Sequence, residues 1–148
     1  MTAKDIMTAD PTVCRPDAHL QDVAKLMCDE DCGAIPVVDA QGKPLGIVTD
    51  RDIACRVVGK GRDALQTQAR DCMTPDPVCA SADASVDEVC DLLERSQIRR
   101  LLIVDEAGQC CGIVSQADVA RHAPERKAGE VVKEVSRERR PSAHPIAP

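Results

Sequence analysis

The stretch that decides the fold is GIVTDRDI (residues 46–53), which recurs almost unchanged as GIVSQADV (residues 112–119). Sliding the sequence against itself by 66 residues aligns residues 3–56 with residues 69–122 without a gap, and 18 of the 54 aligned pairs are identical. The chain therefore contains two copies of one unit. Two copies are too few for an open solenoid, so we expect them to pack against each other with pseudo-twofold symmetry.

Each copy predicts the same order of elements, β-α-β-β-α, and hence an α+β fold with α/β sandwich-like packing. An extended segment bounded by prolines comes first, and the following helix carries apolar residues at i, i+3, i+4 and i+7. Asp17 and Asp83 are plausible N-caps of these helices, and Gly33 is a plausible stop for the first one. Two strands follow, joined by a turn that ends on glycine, and the closing helix begins at Asp50 or Gln116.

The repeats divide the chain into residues 1–58, a linker at 59–68, residues 69–123 and a last part at 124–148. The linker is polar and holds Gly59 and Gly61, and it is too short to separate two independent domains. In the last part, ERKAGEVVKEVSRERR predicts a charged helix and PSAHPIAP predicts disorder.

The composition restricts the classes of function. The chain has no Phe, Trp or Tyr and a formal net charge of −6, so it lacks the basic face and the aromatic platforms that nucleic-acid binding uses. No apolar run approaches the roughly 18–20 residues of a membrane span, and MTAKDIMTAD at the N-terminus offers no signal peptide. We therefore expect a soluble, cytoplasmic protein that binds neither nucleic acid nor membrane.

Each repeated stretch places a hydroxyl at a strand–helix junction and a carboxylate three residues later: Thr49 with Asp52, and Ser115 with Asp118. One interpretation is structural, because a Thr or Ser N-cap and an acidic N3 residue form a capping box. The other is functional. Free N–H groups and a hydroxyl suit an oxyanion, and a carboxylate matches the cis diol of a ribose, with a purine held between aliphatic side chains.

Negative charge near the first junction opposes phosphate binding. Asp50 and Asp52 would repel a phosphate, so basic side chains must meet it. The candidates are Arg51, Arg99 and Arg100, although the last two could equally be ordinary surface arginines.

From residue 3 to about residue 123 the sequence resembles a tandem cystathionine-β-synthase (CBS) domain pair, or Bateman module. The resemblance is carried by DIMT and DCMT, by GAIPVVD and RRLLIVD, and by the two GIV[TS]xxD stretches. It implies two units packed by their sheets, with two clefts for adenosine compounds such as AMP, ADP, ATP, NAD or S-adenosylmethionine. It also implies a homodimer that regulates an unidentified protein target in signalling or in a stress or energy response, through conformational or oligomeric change.

The resemblance also assigns roles to individual residues. Thr49 and Ser115 would lie near ribose or phosphate, and Asp52 and Asp118 would bind the ribose hydroxyls. Gln116 stands where the first repeat has Asp50, which should ease phosphate repulsion at the second cleft. Arg100 would face phosphate, and Leu102 replaces the more usual proline. The residues implied to line the base are Val13, Cys14, Val78 and Cys79, with Ala34, Ile35 and Pro36 of the first repeat and Arg100, Leu101 and Leu102 of the second.

Three other functions compete with this one. No spacing suggests a Ser-His-Asp or Cys-His set, and no phosphate-binding or dinucleotide fingerprint is present, so we predict no catalysis. The nine cysteines include no C-x-x-C pair and suit a small-residue core without a metal, but a thiol redox or metal-binding stress protein stays an alternative. The third is a structural dimeric adaptor with empty clefts, which docks a partner through the Arg-rich tail.

Overall fold

A computed structural model describes residues 1–137 of the chain. The first repeat forms α1 (Ala3–Ile6), β1 (Thr8–Ala9), α2 (Leu20–Asp29), β2 (Ala34–Val38), β3 (Pro44–Thr49) and α3 (Asp50–Arg56). The second repeat forms α4 (Ala69–Cys72), β4 (Thr74–Pro75), β5 (Cys79–Ser81), α5 (Val86–Ser96), β6 (Arg100–Val104), β7 (Cys110–Ser115) and α6 (Gln116–His122), and α7 (Glu125–Val135) follows. The predicted α+β class is confirmed.

The charged helix predicted after residue 124 is present as α7. Its predicted last residues and the segment PSAHPIAP lie outside the described residues. No helix within residues 1–137 combines the length and the apolar character that a bilayer crossing requires.

The two repeats exchange their leading segments, which we call arms: α1 with β1, and α4 with β4. One sheet has the strand order β1-β7-β6-β5 and the other has the order β2-β3-β4. Strand β1 of the first repeat pairs antiparallel with β7 of the second, and β4 of the second repeat pairs antiparallel with β3 of the first. Each arm therefore completes the sheet of the other repeat, and a repeat defined by sequence is not a packing unit.

The glycine of each GIV stretch makes room for the arm that crosses over. A Cβ atom at Gly46 would lie 2.5 Å from Sδ of Met73 and 2.8 Å from the carbonyl oxygen of Thr74. At Gly112 it would overlap Sδ of Met7. The MT sequence of each repeat therefore packs against the GIV sequence of the other repeat.

Two aliphatic cores lie under the two sheets. The first joins α2, β2 and β3 to Ala69 and Cys72 of the second repeat's arm. The second joins α5, β6 and β7 to Ala3 and Ile6 of the first repeat's arm, and α7 covers it with its buried face. The arms therefore exchange core side chains as well as strands.

The hairpins of the two repeats meet at their turns. The Gln109 amide nitrogen donates to the carbonyl of Gln41 at 2.8 Å, and the Cys110 N–H donates to the carbonyl of Gly42 at 2.9 Å. Gly42 and Gly108 both have φ near +80° (81° and 80°), so the predicted turns that end on glycine are confirmed.

The predicted N-caps of the long helices are wrong. The N-caps are His19 and Ser85, two residues after Asp17 and Asp83. Both aspartates precede the helices in turns, closed by hydrogen bonds from Ala18 N–H to Arg15 and from Ala84 N–H to Ser81.

Different groups satisfy the first N–H groups of these two helices. Ser85 forms a capping box with Glu88, which fixes the start of α5. At α2 the linker supplies the acceptors, because the N–H groups of Leu20 and Gln21 donate to the carbonyls of Thr67 and Ala64. The linker is therefore packed against the first repeat.

Gly33 does not end α2, which stops at Asp29. The left-handed conformation that follows belongs to Asp31, with φ of 49°. An Asp tolerates this conformation because its short polar side chain can bond locally.

Candidate ligand-binding cleft

The two strand–helix junctions are capping boxes, as the structural interpretation of the motif predicts. Thr49 Oγ1 accepts from the Asp52 N–H at 3.1 Å, and Asp52 Oδ2 accepts from the Thr49 N–H at 2.9 Å. At the second junction the corresponding distances for Ser115 and Asp118 are 3.2 and 2.8 Å. Each box satisfies two backbone donors and fixes where the closing helix begins.

Each motif carboxylate has a second oxygen, Oδ1, that takes no part in the cap, and an arginine lies near it. Asp118 Oδ1 accepts from Nη2 of Arg121 at 2.8 Å, and only 7% of the Asp118 side chain is exposed. Asp52 Oδ1 lies 3.9 Å from Nε of Arg56, with 14% of its side chain exposed. A ribose diol could reach Oδ1 of Asp118 only by displacing Arg121. That arginine is two-thirds exposed (66%), so its pair with Asp118 costs little to open.

A cleft of about 390 Å³ opens beside the second junction. Its polar wall consists of two guanidinium groups, a hydroxyl and an amide, and no carboxylate from residues 1–137 lines it. It brings together three of the predicted site residues, Arg99, Arg100 and Ser115. The full lining is Arg99, Arg100, Ser115, Gln116, Ala117, Ala120 and Val132.

Three apolar lining residues were missed in the sequence. Ala117 and Ala120 lie on α6, and Val132 reaches the cleft from α7. The signal for α7 was present, because Ala128, Val131 and Val135 repeat at helical spacing on its buried face and Val132 lies beside them. A helix described only as charged thus also forms one wall of the cleft.

The segments implied to line a base run beside the central strands. The Cys14 N–H donates to the carbonyl of Pro36, and the Leu102 N–H donates to the carbonyl of Val78. Within these segments Val13 is exposed, and Val78 and Cys79 are half-buried. The remaining apolar members are buried: Cys14, Ala34, Ile35, Pro36, Leu101 and Leu102.

None of these apolar residues lines the cleft. Ile35 and Leu101 lie in the two cores, so a ligand could not touch their side chains without a rearrangement. Arg51 is exposed on α3 and also lies outside the cleft lining.

The buried thiols are poorly placed for thiolate chemistry. Burial raises the pKa of Cys14 to about 11 and the pKa of Cys110 to about 11. Burial also raises the pKa of Cys72 and Cys90, which face the cores. Within residues 1–137 no group of three or more His, Cys, Asp or Glu side chains is placed to hold a metal ion.

Comparison with protein families agrees with this geometry. The family model of the CBS domain matches residues 3–59 and again residues 69–125. The chain therefore belongs to the CBS domain family and carries two CBS domains in tandem.

Two curated relatives match along almost the whole chain. The CBS domain-containing protein YhcV of Bacillus subtilis is 37% identical over 136 residues, which cover 91% of this chain and 95% of that protein. Hypoxic response protein 1 of Mycobacterium tuberculosis is 33% identical over 134 residues, which cover 90% of this chain and 93% of that protein.

Three solved structures share the fold. Hypoxic Response Protein I with two coordinated zinc ions has a TM-score of 0.75 at 33% identity, over 84% of this chain and 100% of that one. CBSX2, from Arabidopsis thaliana, in complex with AMP has a TM-score of 0.70 at 26% identity, over 82% and 95%. The CBS pair of MJ0100 in complex with 5-methylthioadenosine and S-adenosyl-L-methionine has a TM-score of 0.73 at 26% identity, over 82% and 98%.

Proposed function

We propose that this CBS pair is a regulatory module that binds an adenosine nucleotide in the cleft at the β7–α6 junction. The observation that carries the proposal is the cleft wall, where Arg99 and Arg100 lie with Ser115 and Gln116 and the lining includes no carboxylate from residues 1–137. Guanidinium groups are well suited to phosphate, which they bind through paired N–H donors. The ligands of CBSX2 and of the MJ0100 pair, AMP and S-adenosylmethionine, support an adenosine compound as the ligand.

The size and the lining of the cleft support a nucleotide as its ligand. Its volume of about 390 Å³ falls in the range of small-molecule sites, roughly 300–1,000 Å³. The adenine would pack against Ala117, Ala120 and Val132, and the phosphate would meet Arg99 and Arg100. The ribose would meet Ser115 and Gln116. Asp118 is buried and is not part of the cleft lining, so it would reach the ribose hydroxyls only after a local rearrangement that also moves Arg121. The base-lining role of the segments that begin at Val13 and Val78 stays a prediction for the bound state.

AMP is the first ligand to test, before ADP, ATP, NAD and S-adenosylmethionine, because two arginines suit a single phosphate. The first junction is the weaker candidate, because Asp50 is exposed there where the second repeat has Gln116. We further propose that the chain acts as a homodimer, and that ligand binding changes its contacts with a protein target.

Calorimetry of the purified chain with AMP, using adenosine as the uncharged reference, tests the proposal. Arg100→Gln should weaken AMP binding about tenfold or more, because a charge-assisted contact to phosphate is lost. Arg62→Gln makes the same charge change at an exposed linker position and should leave the affinity unchanged. Since the chain has no Trp or Tyr, any adenine retained through purification is also visible as absorbance near 260 nm.

The structural adaptor is the second candidate, and the contact between Asp118 and Arg121 favours it. That contact occupies the oxygen that a ribose would need. If neither the chain nor its Arg121→Ala variant binds any of the adenosine compounds, the nucleotide proposal is wrong and the adaptor takes its place.

A further inference from the structure

Arg100 lies between the cleft at the β7–α6 junction and the first repeat. It begins β6 and lines the cleft beside Ser115. Its guanidinium also reaches Gly33, where Nη2 lies 3.2 Å from the position a Cβ atom would occupy. Oδ2 of Asp50, the first residue of α3, lies 3.1 Å from the same position. One guanidinium of the second repeat and one carboxylate of the first therefore share the space beside a single glycine.

The Asp50 carboxylate is available to a cation at this place. Its Oδ1 accepts from the Arg51 N–H at 2.8 Å, while Oδ2, the oxygen beside Gly33, takes no hydrogen bond within residues 1–137. Glycine matters here, because a side chain at position 33 would occupy the space that the two charged groups share.

This arrangement is not repeated on the other side of the pseudo-twofold axis. The repeat alignment pairs Arg100 with Ala34, and it pairs Asp50 with Gln116. The second junction therefore has no carboxylate at the position of Asp50, and the first repeat supplies no arginine to meet one. This approach of opposite charges across the two repeats therefore occurs at one cleft only.

We propose that Asp50 of the first repeat sets the charge selectivity of the cleft in the second repeat by competing with the ligand's phosphate for Arg100. This inference rests on the proposed function. In the empty cleft Asp50 attracts the guanidinium across a few ångströms. A bound phosphate must draw Arg100 away and then face the Asp50 charge. That cost grows with each negative charge on the ligand and is absent for uncharged adenosine.

Asp50→Gln tests this selectivity, since it gives the first repeat the residue that the second already carries there. Calorimetry at low salt with adenosine, AMP and ATP should show AMP bound about threefold more tightly, ATP more than that, and adenosine unchanged. The gain should shrink as salt is added. Asp22→Gln removes the same charge from the first turn of another first-repeat helix, at an exposed position, and should alter none of the three affinities.

The Arg100→Gln background separates a specific competition from a general charge effect. There, adding Asp50→Gln should raise the ratio of AMP to adenosine affinity by clearly less than it does in the wild-type background, because only the direct repulsion between Asp50 and the phosphate is left to remove. The inference fails if Asp50→Gln tightens adenosine as much as AMP, or if its gain is undiminished without Arg100. If adenosine and AMP both bind and Asp50→Gln leaves the ratio of their affinities unchanged, this inference is wrong but the proposed function is not affected. If neither compound binds any variant, the proposed function fails with it.

Discussion

At the scale of single residues, close contacts decide most of what the repeated motif requires. Positions 46 and 112 require glycine because a methionine of the opposite arm lies where a Cβ atom would be. Neither a turn nor an unusual backbone angle requires it. Positions 49 and 115 require a hydroxyl because the side chains of Thr49 and Ser115 accept hydrogen bonds from backbone N–H groups at the start of a helix. The motif therefore preserves both a junction between strand and helix and a junction between repeats.

Adding a methyl group at either motif glycine should destabilise the whole fold. We expect Gly46→Ala and Gly112→Ala each to lower the free energy of unfolding by about 1–3 kcal/mol, since the added Cβ would overpack the crossing arm. Urea unfolding followed by far-ultraviolet circular dichroism measures this. Gly129→Ala is the matched control, because no atom of the described part of the chain lies within 4 Å of a Cβ at that position. In the interior of α7 it should stabilise by about 0.5–1 kcal/mol.

Stability should decline in alkali as buried thiols are forced to ionise. The pKa of Cys14 is raised from 9.0 to about 11, so the folded state keeps a proton that the unfolded chain releases. Stability from this group is therefore complete below pH 9 and is lost as the pH rises toward 11, by about 2 kcal/mol. Unfolding free energies measured from pH 8 to pH 11 should fall less steeply for Cys14→Ala. Cys28→Ala, at an exposed position, should follow the wild-type slope.

Residue chemistry predicted the capping hydroxyls, the acidic N3 positions and the arginines of the cleft. The contact of Arg121 with Asp118 is also local, since the two residues lie three apart on α6. The position of Val132 is not local, because it depends on how α7 packs against α5 and α6. Side chains that meet through tertiary packing leave no mark in local spacing.

At the scale of elements, matched helices in the two repeats begin by different means. Helix α5 starts with a side-chain cap, in which Ser85 Oγ accepts from the Glu88 N–H at 3.1 Å. Helix α2 starts at His19 without a side-chain cap, and the linker carbonyls satisfy its first donors. The sequence pattern of apolar residues is shared by both helices, but it says nothing of these starts. The apolar pattern alone therefore predicts the wrong N-caps, Asp17 and Asp83, although SVDE (residues 85–88) spells the capping box at the start of α5.

The same truncation should therefore have unequal effects at the two helix starts. Ser85→Ala should cost about 1 kcal/mol of unfolding free energy, because the N–H of Glu88 loses its acceptor. His19→Ala removes no capping hydrogen bond and should change stability by less than about 0.5 kcal/mol. Equal losses in urea titrations of the two variants would show that the capping box contributes nothing.

At the scale of the whole molecule, the exchange of arms ties the two cores into one structure. Each sheet contains a strand from the opposite repeat and is incomplete without it. Each core likewise contains apolar side chains from the opposite arm. The repeat itself was predictable from identities along the chain, as was the order of its elements. The exchange was not, because a strand that returns to its own sheet and one that crosses over would have the same local sequence.

The molecule should unfold in one cooperative step in spite of its two cores. Calorimetry should give equal calorimetric and van't Hoff enthalpies, and amides in β3 and β7 should exchange hydrogen with the same opening free energy. Gly46→Ala and Gly112→Ala, in different sheets, should each lower the Tm of a single transition. Two separate transitions, one for each sheet, would contradict this account.

The crossed arms also bear on what happens when the backbone is cut. Residues 58–63 are exposed, so a protease has access to the chain between the two halves. A nick there would leave both fragments interlocked, since each still holds a strand that the other needs. Expressed as separate polypeptides, the halves would have to find one another before either could finish folding, which makes this chain a natural scaffold for fragment complementation.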